Sequence, residues 1–407
     1  MEESINQIRT YSFHYYDERL FELCKESGSV YSTSLDMFWD TYKTTGKWLS
    51  KFDLQKEMNG KIERNNLHSD SYLASMQQVH ANLASWRQAK KINESAKAPH
   101  KHKFLQPVFF KKSQIKYKDG LLVITLDKNK NYIVLPWNIK MPIPIYGHVG
   151  YNQKNGWKIN LSVETNVKQK KLLQEKALSV DLGVKRIATL FDNNRVVTMS
   201  GKKLLGLLHY RNKTSAKYQE KLSKKTKGSN NEKRLQRARR KVVEHMQNIQ
   251  TDILHKQSRF IVDYAVNHRI GKIVFGNNAG VHNKTNCGTN NNQKIQQFPE
   301  QKLKNYVSYK FECVSGIVDS KPEPYTSQRC PICKKLHKTN TRVYKCNDCG
   351  FVYDRDGVGA INIYNENVSL VEDQRIRRLM RPFGLKYDNN LSFKHSKMLS
   401  AENDYSL

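Results

Sequence analysis

The chain has 407 residues, enough for two or three domains, and its 70 Lys and Arg residues against 37 Asp and Glu residues leave a formal net charge of +33. An excess of this size excludes an ordinary enzyme of small molecules and indicates a polyanionic partner. Because the sequence has no long apolar run, no signal-peptide pattern and no basic amphipathic anchor, we expect no membrane partner.

The seven cysteines divide into two groups. Four lie in two CxxC pairs, and Cys24, Cys287 and Cys313 are widely spaced single thiols. Paired thiols at this spacing are typical of a zinc site rather than of a disulfide framework. We therefore expect a reducing, intracellular compartment, either the cytoplasm and nucleoid or, in a eukaryotic or viral host, the nucleus.

The first part of the chain combines a helical pattern with a β pattern. Apolar residues at helical spacing predict a small helical bundle over residues 17–91, followed by a connector through residue 103 that contains Pro99 and the sequence HKHK. Residues 1–16 and 104–175 alternate apolar and polar positions, which predicts a β-barrel with the bundle inserted after its first strand. We expect Trp39, Trp86 and Trp137 to lie in the core rather than to stack on bases.

A different order of elements begins at Lys176. Three short strands, a long helical stretch over residues 205–250, a strand, a helix, a further strand and a final helix follow one another. This order is that of RNase H-like domains, so the sequence predicts an α/β domain over residues 176–324 and 354–370. Residues 325–353 interrupt this domain, and residues 371–407 form a basic and polar tail. The predicted strands are residues 177–182, 186–191, 195–199, 272–275 and 316–320.

The interruption contains the two cysteine pairs. CPIC spans Cys330 to Cys333 and CNDC spans Cys346 to Cys349, with twelve residues between the pairs and Gly350 after the second pair. Four thiolates at this spacing suit one tetrahedral Zn²⁺, and the glycine suits the tight turn that follows. The sequence therefore predicts a zinc ribbon that holds one structural zinc ion.

Acidic residues that are far apart in the sequence are the candidates for a catalytic site. Asp181 lies within an apolar strand, where an unpaired carboxylate is costly, and in an RNase H-like domain this position faces the active site. Glu323 and Asp356 flank the zinc ribbon. Carboxylates from distant segments can hold two Mg²⁺ ions, which activate water and neutralise the leaving oxygen during phosphodiester cleavage.

The motifs between Ala177 and Ile363 resemble those of the TnpB family, the RNA-guided nucleases of insertion-sequence transposons, which are related to type V CRISPR effectors and Fanzor proteins. The resemblance rests on SVDLGVKRIATL, HKQSRFIVDYA, NNQKIQQFP, PYTSQRCPIC and CGFVYDRDGVGAINI, in this order. It implies a RuvC-type nuclease domain, a guide RNA derived from the transposon end, and cleavage of complementary double-stranded DNA beside a short motif. Carried over by position, it implies Asp181 and Asp356 as the first and last catalytic residues and Cys330, Cys333, Cys346 and Cys349 as the zinc ligands.

One position departs from the family pattern. Many members carry a catalytic Glu at the end of the fourth strand, where this chain has Gly276. Some members that lack this Glu resemble the chain in carrying another just before the YTS sequence, as Glu323 does here between two prolines that restrict its backbone. We expect Glu323 to be the third magnesium ligand. Among the other acidic residues Asp354 is a weaker candidate, and Asp319, Glu312 and Glu300 are predicted to be surface or helix residues.

A strongly basic stretch lies between the third strand and the fourth. Residues 211–241 contain 13 Lys or Arg residues and only two Glu residues, in two helical segments separated near Gly228. A solvated helical hairpin usually mixes its charges, and this one does not. We expect the hairpin to lie along nucleic-acid phosphates. The candidate contacts are Arg234, Arg237, Arg240 and Lys241.

Fold and charge alone indicate a metal-dependent nuclease or a nucleic-acid binder. The resemblance to the TnpB family implies a Mg²⁺-dependent, RNA-guided DNA endonuclease, which we expect to be a monomer. The glycine at position 276 keeps a second function open, a nuclease-deficient, RNA-guided repressor that binds DNA without cutting it. A DNA strand transferase would use similar carboxylates, but no segment of the sequence indicates a dedicated reader of transposon ends.

Overall fold

A computed structural model describes residues 4–58, 61, 65–138, 140–152, 156–277, 288–322, 325–339 and 341–385. The chain divides into two compact units, one formed by Asn6–Asn166 and the other by Met1–Ile5 together with Val167–Leu407. None of the helices in the described ranges combines the length and the apolar character that a membrane span requires.

The unit Asn6–Asn166 contains the predicted helices. Helix α1 spans Arg19–Thr45, α2 spans Lys51–Met58 and α3 spans Ser69–Ile92. Helix α1 stops at Gly46, whose φ of 68° lies in the left-handed region that glycine adopts without strain. The three helices share one core with the strands of this unit, because their apolar residues recur at helical spacing.

The strands of this unit form two sheets. Strands β1 (Ser4–His14), β7 (Gly156–Lys168), β6 (Pro144–Asn152) and β2 (Val108–Lys111) lie side by side in this order. Strands β3 (Ile115–Lys118), β4 (Leu121–Thr125) and β5 (Tyr132–Pro136) form the other sheet. The first strand precedes the helices, as predicted, but the described strands form two open sheets rather than one barrel. A 3-10 turn over Lys112–Gln114 ends β2 and redirects the chain into the second sheet.

The second unit is built on a six-stranded sheet in the order β12-β11-β8-β9-β10-β15. Strands β8 (Leu173–Asp181), β9 (Arg186–Phe191) and β10 (Val196–Ser200) are antiparallel. Strands β11 (Ile270–Asn277) and β12 (Ile317–Pro322) continue the sheet in parallel on the other side of β8. The predicted strands are therefore present, and the tail adds β15 (Phe383–Leu385), where the sequence predicted no strand.

Helices cover both faces of this sheet. On one face lie α4 (Lys202–Ser223), α5 (Asn230–Asn267) and α7 (Glu300–Glu312), whose buried residues contact Leu178 and Val180 of β8. The other face is covered by α8 (Arg355–Asn367), which packs with the residues that alternate with these along β8. Two short helices complete the described part, α6 (Thr289–Gln297) and α9 (Asp373–Arg377).

Gly316, between α7 and β12, provides a test of this packing. A Cβ at this position would lie 2.3 Å from the ring of Phe311, which is fully buried. We expect Gly316→Ala to lower the free energy of unfolding by about 1–3 kcal/mol, because a fixed core ring cannot move aside. Gly206→Ala is the control, since a Cβ in this part of α4 meets no atom within 4 Å and should stabilise the helix by about 0.5–1 kcal/mol. The measurement is thermal unfolding of both variants. Equal melting temperatures would contradict the packing of Gly316 against Phe311.

Candidate active site

Asp181 ends β8 on the face of the sheet that α8 covers. The neighbouring Ser179 Oγ donates a hydrogen bond to the Ala360 carbonyl at 2.7 Å, which attaches α8 to β8. A Cβ at Gly359 would lie 2.5 Å from Asp181 Oδ2. The Asp181 carboxylate therefore lies directly against the backbone of α8.

Asp356 lies in the first turn of α8, the helix that Asp181 contacts. This helix begins here because the Asp354 side chain accepts hydrogen bonds from the N–H groups of Asp356 and Gly357, both at 3.1 Å. Asp354 is buried, and its Oδ1 also accepts a hydrogen bond from Arg186 Nη1 at 2.5 Å. Asp354 thus caps the helix through Oδ1, which accepts all three of these hydrogen bonds.

The surroundings of Asp181 disfavour its negative charge. Burial, the carboxylate of Asp356 and that of Glu300 raise the pKa of Asp181 to about 8, although Arg355 and Lys304 partly oppose them. The structure therefore places Asp181 and Asp356 in one electrostatically coupled cluster. A divalent cation beside these carboxylates would stabilise the ionised form of Asp181, and hard oxygen ligands are those that Mg²⁺ prefers.

Three arginines contact the carboxylate of Asp356: Arg342, Arg186 and the adjacent Arg355, whose Nε lies 3.8 Å from Oδ1. Arg342 Nη1 donates to Oδ2 at 3.0 Å, and Arg186 Nη1 lies 3.5 Å from the same oxygen. Arg342 is held at the start of α8 because its carbonyl accepts a hydrogen bond from the Arg355 N–H at 2.8 Å. The sequence analysis missed Arg342, since nothing local distinguishes it from the many other basic residues of the chain.

Gly276 stands where many family members carry a catalytic Glu. It lies at the end of β11, the strand that pairs with β8. The carbonyl of Gly276 accepts a hydrogen bond from Lys304 Nζ at 3.0 Å. Lys304 is buried, and its ammonium pairs with Glu300 at 2.8 Å. The sequence assigned Glu300 to the surface or to a helix. It does lie on α7, but its charge reaches Asp181 and raises the pKa of that carboxyl.

Glu323 lies outside the described residues. Strand β12 ends at Pro322, directly before it, at the same edge of the sheet as Asp181. Since β8, β11 and β12 are adjacent, this strand end is roughly 10 Å from the end of β8, two strand spacings away. Of the other acidic residues near β12, Glu312 is exposed, and Asp319 forms ion pairs with Lys272 and Lys321.

The four paired cysteines come together beside α8. The Sγ atoms of Cys330 and Cys349 are 3.6 Å apart and those of Cys333 and Cys346 are 3.4 Å apart, with all four within 4.8 Å of one another. Sulfurs bound at about 2.3 Å to a tetrahedral Zn²⁺ lie about 3.8 Å apart, so the donor set fits this ion. The hairpin of β13 (Val343–Lys345) and β14 (Val352–Asp354) surrounds the second pair and leads directly into α8.

Local hydrogen bonds prepare one of these thiols for a metal. Burial alone would raise the pKa of Cys346, but the N–H group of Cys349, the thiol of Cys333 and the N–H group of Asp348 lower it to about 6. Burial raises the pKa of Cys330 to about 12. Because zinc binds thiolates, occupation of this site would release the proton of Cys330.

Asn362 connects α8 to the segment that enters the cysteine site. Its buried Nδ2 donates hydrogen bonds to the carbonyls of Thr326 and Arg329, both at 2.7 Å. Arg329 directly precedes Cys330, and Asn362 lies on the same helix as Asp356. One side-chain amide therefore fixes the cysteine site to the helix of the carboxylate cluster.

The basic stretch forms a helical hairpin of α4 and α5, and α5 alone is about 57 Å long. Arg239, which the sequence analysis did not single out, crosses to α4 and donates to Ser215 Oγ at 3.0 Å and to Gln219 Oε1 at 2.7 Å. The four residues predicted to bind phosphates are exposed on α5, and within the described ranges none of them pairs with a carboxylate. They are Arg234, Arg237, Arg240 and Lys241.

The amide of Asn362 allows a test of the connection between the two sites. Asn362→Asp replaces the donor by a carboxylate that repels both carbonyls, and unpaired buried carbonyls cost about 1–3 kcal/mol each. We expect faster zinc release and faster amide hydrogen exchange over residues 326–333. Asn305→Asp makes the same chemical change at an exposed position of α7 and should alter neither. Equal zinc release by the two variants would contradict the role of Asn362.

Two family models match this chain, and both include residues of the sites described above. A model described as the Cas12f1-like TNB domain matches residues 301–363, and one described as a probable transposase matches residues 160–282. The first range contains the four cysteines and Asp356, and the second contains Asp181 and the basic hairpin.

Relatives and a solved structure agree with these matches. A TnpB-like protein of Methanocaldococcus jannaschii is 26% identical over 196 residues, which cover 47% of this chain and 69% of the relative. InsQ of Escherichia coli K12, named as an RNA-guided DNA endonuclease, is 25% identical over 279 residues, 63% of this chain and 67% of the relative. A Cas12f1 structure in complex with sgRNA and target DNA shares the mixed α/β fold, with a TM-score of 0.65 at 15% identity over 86% of this chain and 83% of that one. The matched models, the relatives and the sequence motifs all indicate a similarity of this chain to the TnpB family.

Proposed function

We propose that this protein is an RNA-guided, Mg²⁺-dependent DNA endonuclease of transposon origin, which binds a guide RNA and cleaves complementary double-stranded DNA beside a short motif. The observation that carries the proposal is the coupled pair of Asp181 and Asp356, which lie in the segments that match the family models. The names of InsQ as an RNA-guided DNA endonuclease and of Cas12f1 as an endodeoxyribonuclease support the same activity for this chain.

The six-stranded sheet serves as an RNase H-like domain of the RuvC type in this proposal. Its support is the strand order, in which three antiparallel strands are followed by β11 and β12 in parallel beside β8. Asp181 ends the first of these strands, and Asp356 begins the helix on the opposite side of the zinc ribbon. The proposed domain covers residues 176–324 and 354–370, and the ribbon covers residues 325–353.

Glu323 is the third ligand in this proposal. Its support is the position of Pro322 at the same sheet edge as Asp181, with Gly276 on the strand between them. A glycine there leaves the space between the two strand ends without a side chain, and Lys304 occupies only the far side through the Gly276 carbonyl.

The reaction needs two divalent ions, which when bound supply a nucleophilic water and neutralise the leaving oxygen. Asp181, Asp356 and Glu323 would hold them. Arg342 and Arg186 contact Asp356 from the side and bring two guanidinium groups to the edge of the cluster. A guanidinium in this place can pair with a phosphate oxygen of the DNA strand and orient it towards the carboxylates. The zinc ribbon would be structural, since it holds Arg342 and leads into α8.

The exposed basic face of α5 is the proposed contact for the phosphates of guide RNA or target DNA. We expect Arg234→Gln combined with Arg237→Gln to weaken RNA binding and to reduce the slope of log affinity against log salt by about 1.5–2, because each contact releases a counterion. The matched control is Lys224→Gln with Lys256→Gln, since both lysines already pair with carboxylates of the hairpin at 2.9 and 2.8 Å. Filter binding from 50 to 300 mM salt measures the affinity and the salt slope of both double variants. Equal slopes would exclude this face of α5 as a phosphate contact.

The glycine at position 276 favours one alternative, an RNA-guided repressor that binds DNA without cutting it. The two functions differ in one measurement. The chain is purified with its bound RNA, supplied with a matching duplex and Mg²⁺, and assayed for both binding and cleavage. Binding without cleavage by the wild type would establish the repressor and end the proposal of catalysis.

Variants identify the residues that carry cleavage. We expect Asp181→Asn and Glu323→Gln each to reduce the cleavage rate by about 100-fold or more while DNA binding is kept, because each removes a metal ligand. Asp319→Asn is the control, since this carboxylate lies on β12 near the site but pairs only with lysines in the described structure. If Glu323→Gln cut as fast as the control, the third ligand would have to come from elsewhere.

A further inference from the structure

The connector after α3 is held to the helices at three points of its backbone. Trp86 Nε1 donates a hydrogen bond to the Ala96 carbonyl at 3.0 Å, and Trp39 Nε1 donates to the Pro99 carbonyl at 3.0 Å. The N–H of Lys103 donates to Ser32 Oγ, also at 3.0 Å. Residues 96–103, which we term the strap, therefore have a defined path across α1 and α3.

Ring contacts add to this attachment. The His100 ring lies on Trp39 with a centroid distance of 4.5 Å, and Trp39 packs edge-on against Trp86 at 5.9 Å. Of the three tryptophans that the sequence analysis assigned to the core, Trp137 is buried there, Trp39 is half-buried and packs against it, and Trp86 is half-buried outside it. The indole N–H groups of Trp39 and Trp86 hold the strap.

The strap carries three lysines and two histidines and no carboxylate. Lys97 and Lys101 are exposed, and within the described ranges neither has a carboxylate partner. Lys103 Nζ lies 5.7 Å from the ring of Tyr31, and His102 pairs with Asp36 at 2.8 Å. Lys97, Lys101, Lys103 and His100 line an open groove of about 720 Å³, together with Tyr31 and Asn82.

The charge around the groove is one-sided. Residues 87–103 contain six Lys or Arg residues and a single carboxylate, that of Glu94. Cations held close together by a fixed backbone repel one another, and a merely solvated connector gains nothing from this arrangement. A polyanion in the groove would remove the repulsion and release counterions.

We infer that the strap is a binding site for the sugar–phosphate backbone of one nucleic-acid strand, formed before the strand arrives. The inference rests on the proposed function in that a guide RNA and a target DNA are the strands available. Because the backbone of the strap is already ordered by three hydrogen bonds, binding loses little conformational entropy. Lysine ammonium groups contact phosphates without reading bases, so the strap contributes affinity rather than sequence choice.

The test removes two charges from the strap without altering its attachment. In the full chain, Lys97→Gln combined with Lys101→Gln should weaken binding about tenfold at 100 mM salt and reduce the salt slope by about 1.5–2. Lys25→Gln combined with Lys61→Gln removes the same charge from the same unit at lysines that already pair with Glu22 and Glu57. This control should change affinity less than twofold.

Two binding assays show whether guide RNA or target DNA occupies the strap. The first measures binding of guide RNA to the chain alone, and the second measures binding of target duplex to the RNA complex of the Asp181→Asn variant, which cannot cut. A loss in the first arm identifies RNA as the occupant, and a loss confined to the second identifies DNA. A double variant that matches the control in both arms overturns the inference.

A second variant tests whether the fixed path of the strap, and not only its charge, contributes to binding. Trp86→Phe keeps the ring but removes the N–H group that holds Ala96, and it leaves every charge in place. We expect it to weaken binding in the same arm by about threefold, with thermal unfolding recorded to confirm a folded chain. Unchanged binding by this variant would overturn the pre-formed character of the site. If the wild type binds both strands but never cuts, the proposed catalysis fails while the strap remains supported.

Discussion

The carboxylate cluster depends on the enforced proximity of two groups that repel each other. Asp181 and Asp356 come from β8 and α8, and their mutual repulsion together with burial raises the pKa of Asp181 to about 8. The fold overcomes this repulsion by ordinary contacts: Ser179 bonds to the backbone of α8, and Gly359 allows the carboxylate to approach that backbone. The position of α8 is therefore the quantity on which the chemistry depends, because a shift of this helix moves one carboxylate relative to the other.

The zinc ribbon enters this constraint through α8. The second cysteine pair lies in the hairpin that leads into the helix, and Arg342 from this hairpin pairs with Asp356. Asn362 fixes the segment before the first cysteine pair to the same helix. Metal binding at the four thiolates supplies folding free energy to a segment that has a small core of its own. The four-cysteine site and the carboxylates of Asp181 and Asp356 are thus linked by covalent continuity and by two side chains.

Patterns with strong local signals were readable from the sequence. Spacing alone indicated the four cysteines, and an acidic residue inside an apolar strand indicated Asp181. The strand order of the second unit followed from alternation and turn residues. Interactions that exist only after folding were not readable: Arg342 meets Asp356 through a hairpin, and Lys304 meets Gly276 across two elements. Strand β15 has only three residues, so its pairing with β10 rather than any pattern of its own defines it. The predicted barrel failed for a similar reason, since closure depends on pairing between sheets.

The energetics of the cluster bear on the choice between a nuclease and a repressor. Lys304 and Glu300 form a neutral pair beside Gly276, so they cannot cancel the charge that Asp181 and Asp356 would carry together. Arg342 and Arg186 pair with Asp356, and Arg186 also pairs with Asp354, whereas the surroundings of Asp181 still raise its pKa. Replacing Asp181 by Asn would relieve this cost in a protein that only binds nucleic acid, because an amide fills the same space without a charge. A divalent cation in the cluster would offset this cost, which is what the proposed nuclease requires and the alternative repressor does not.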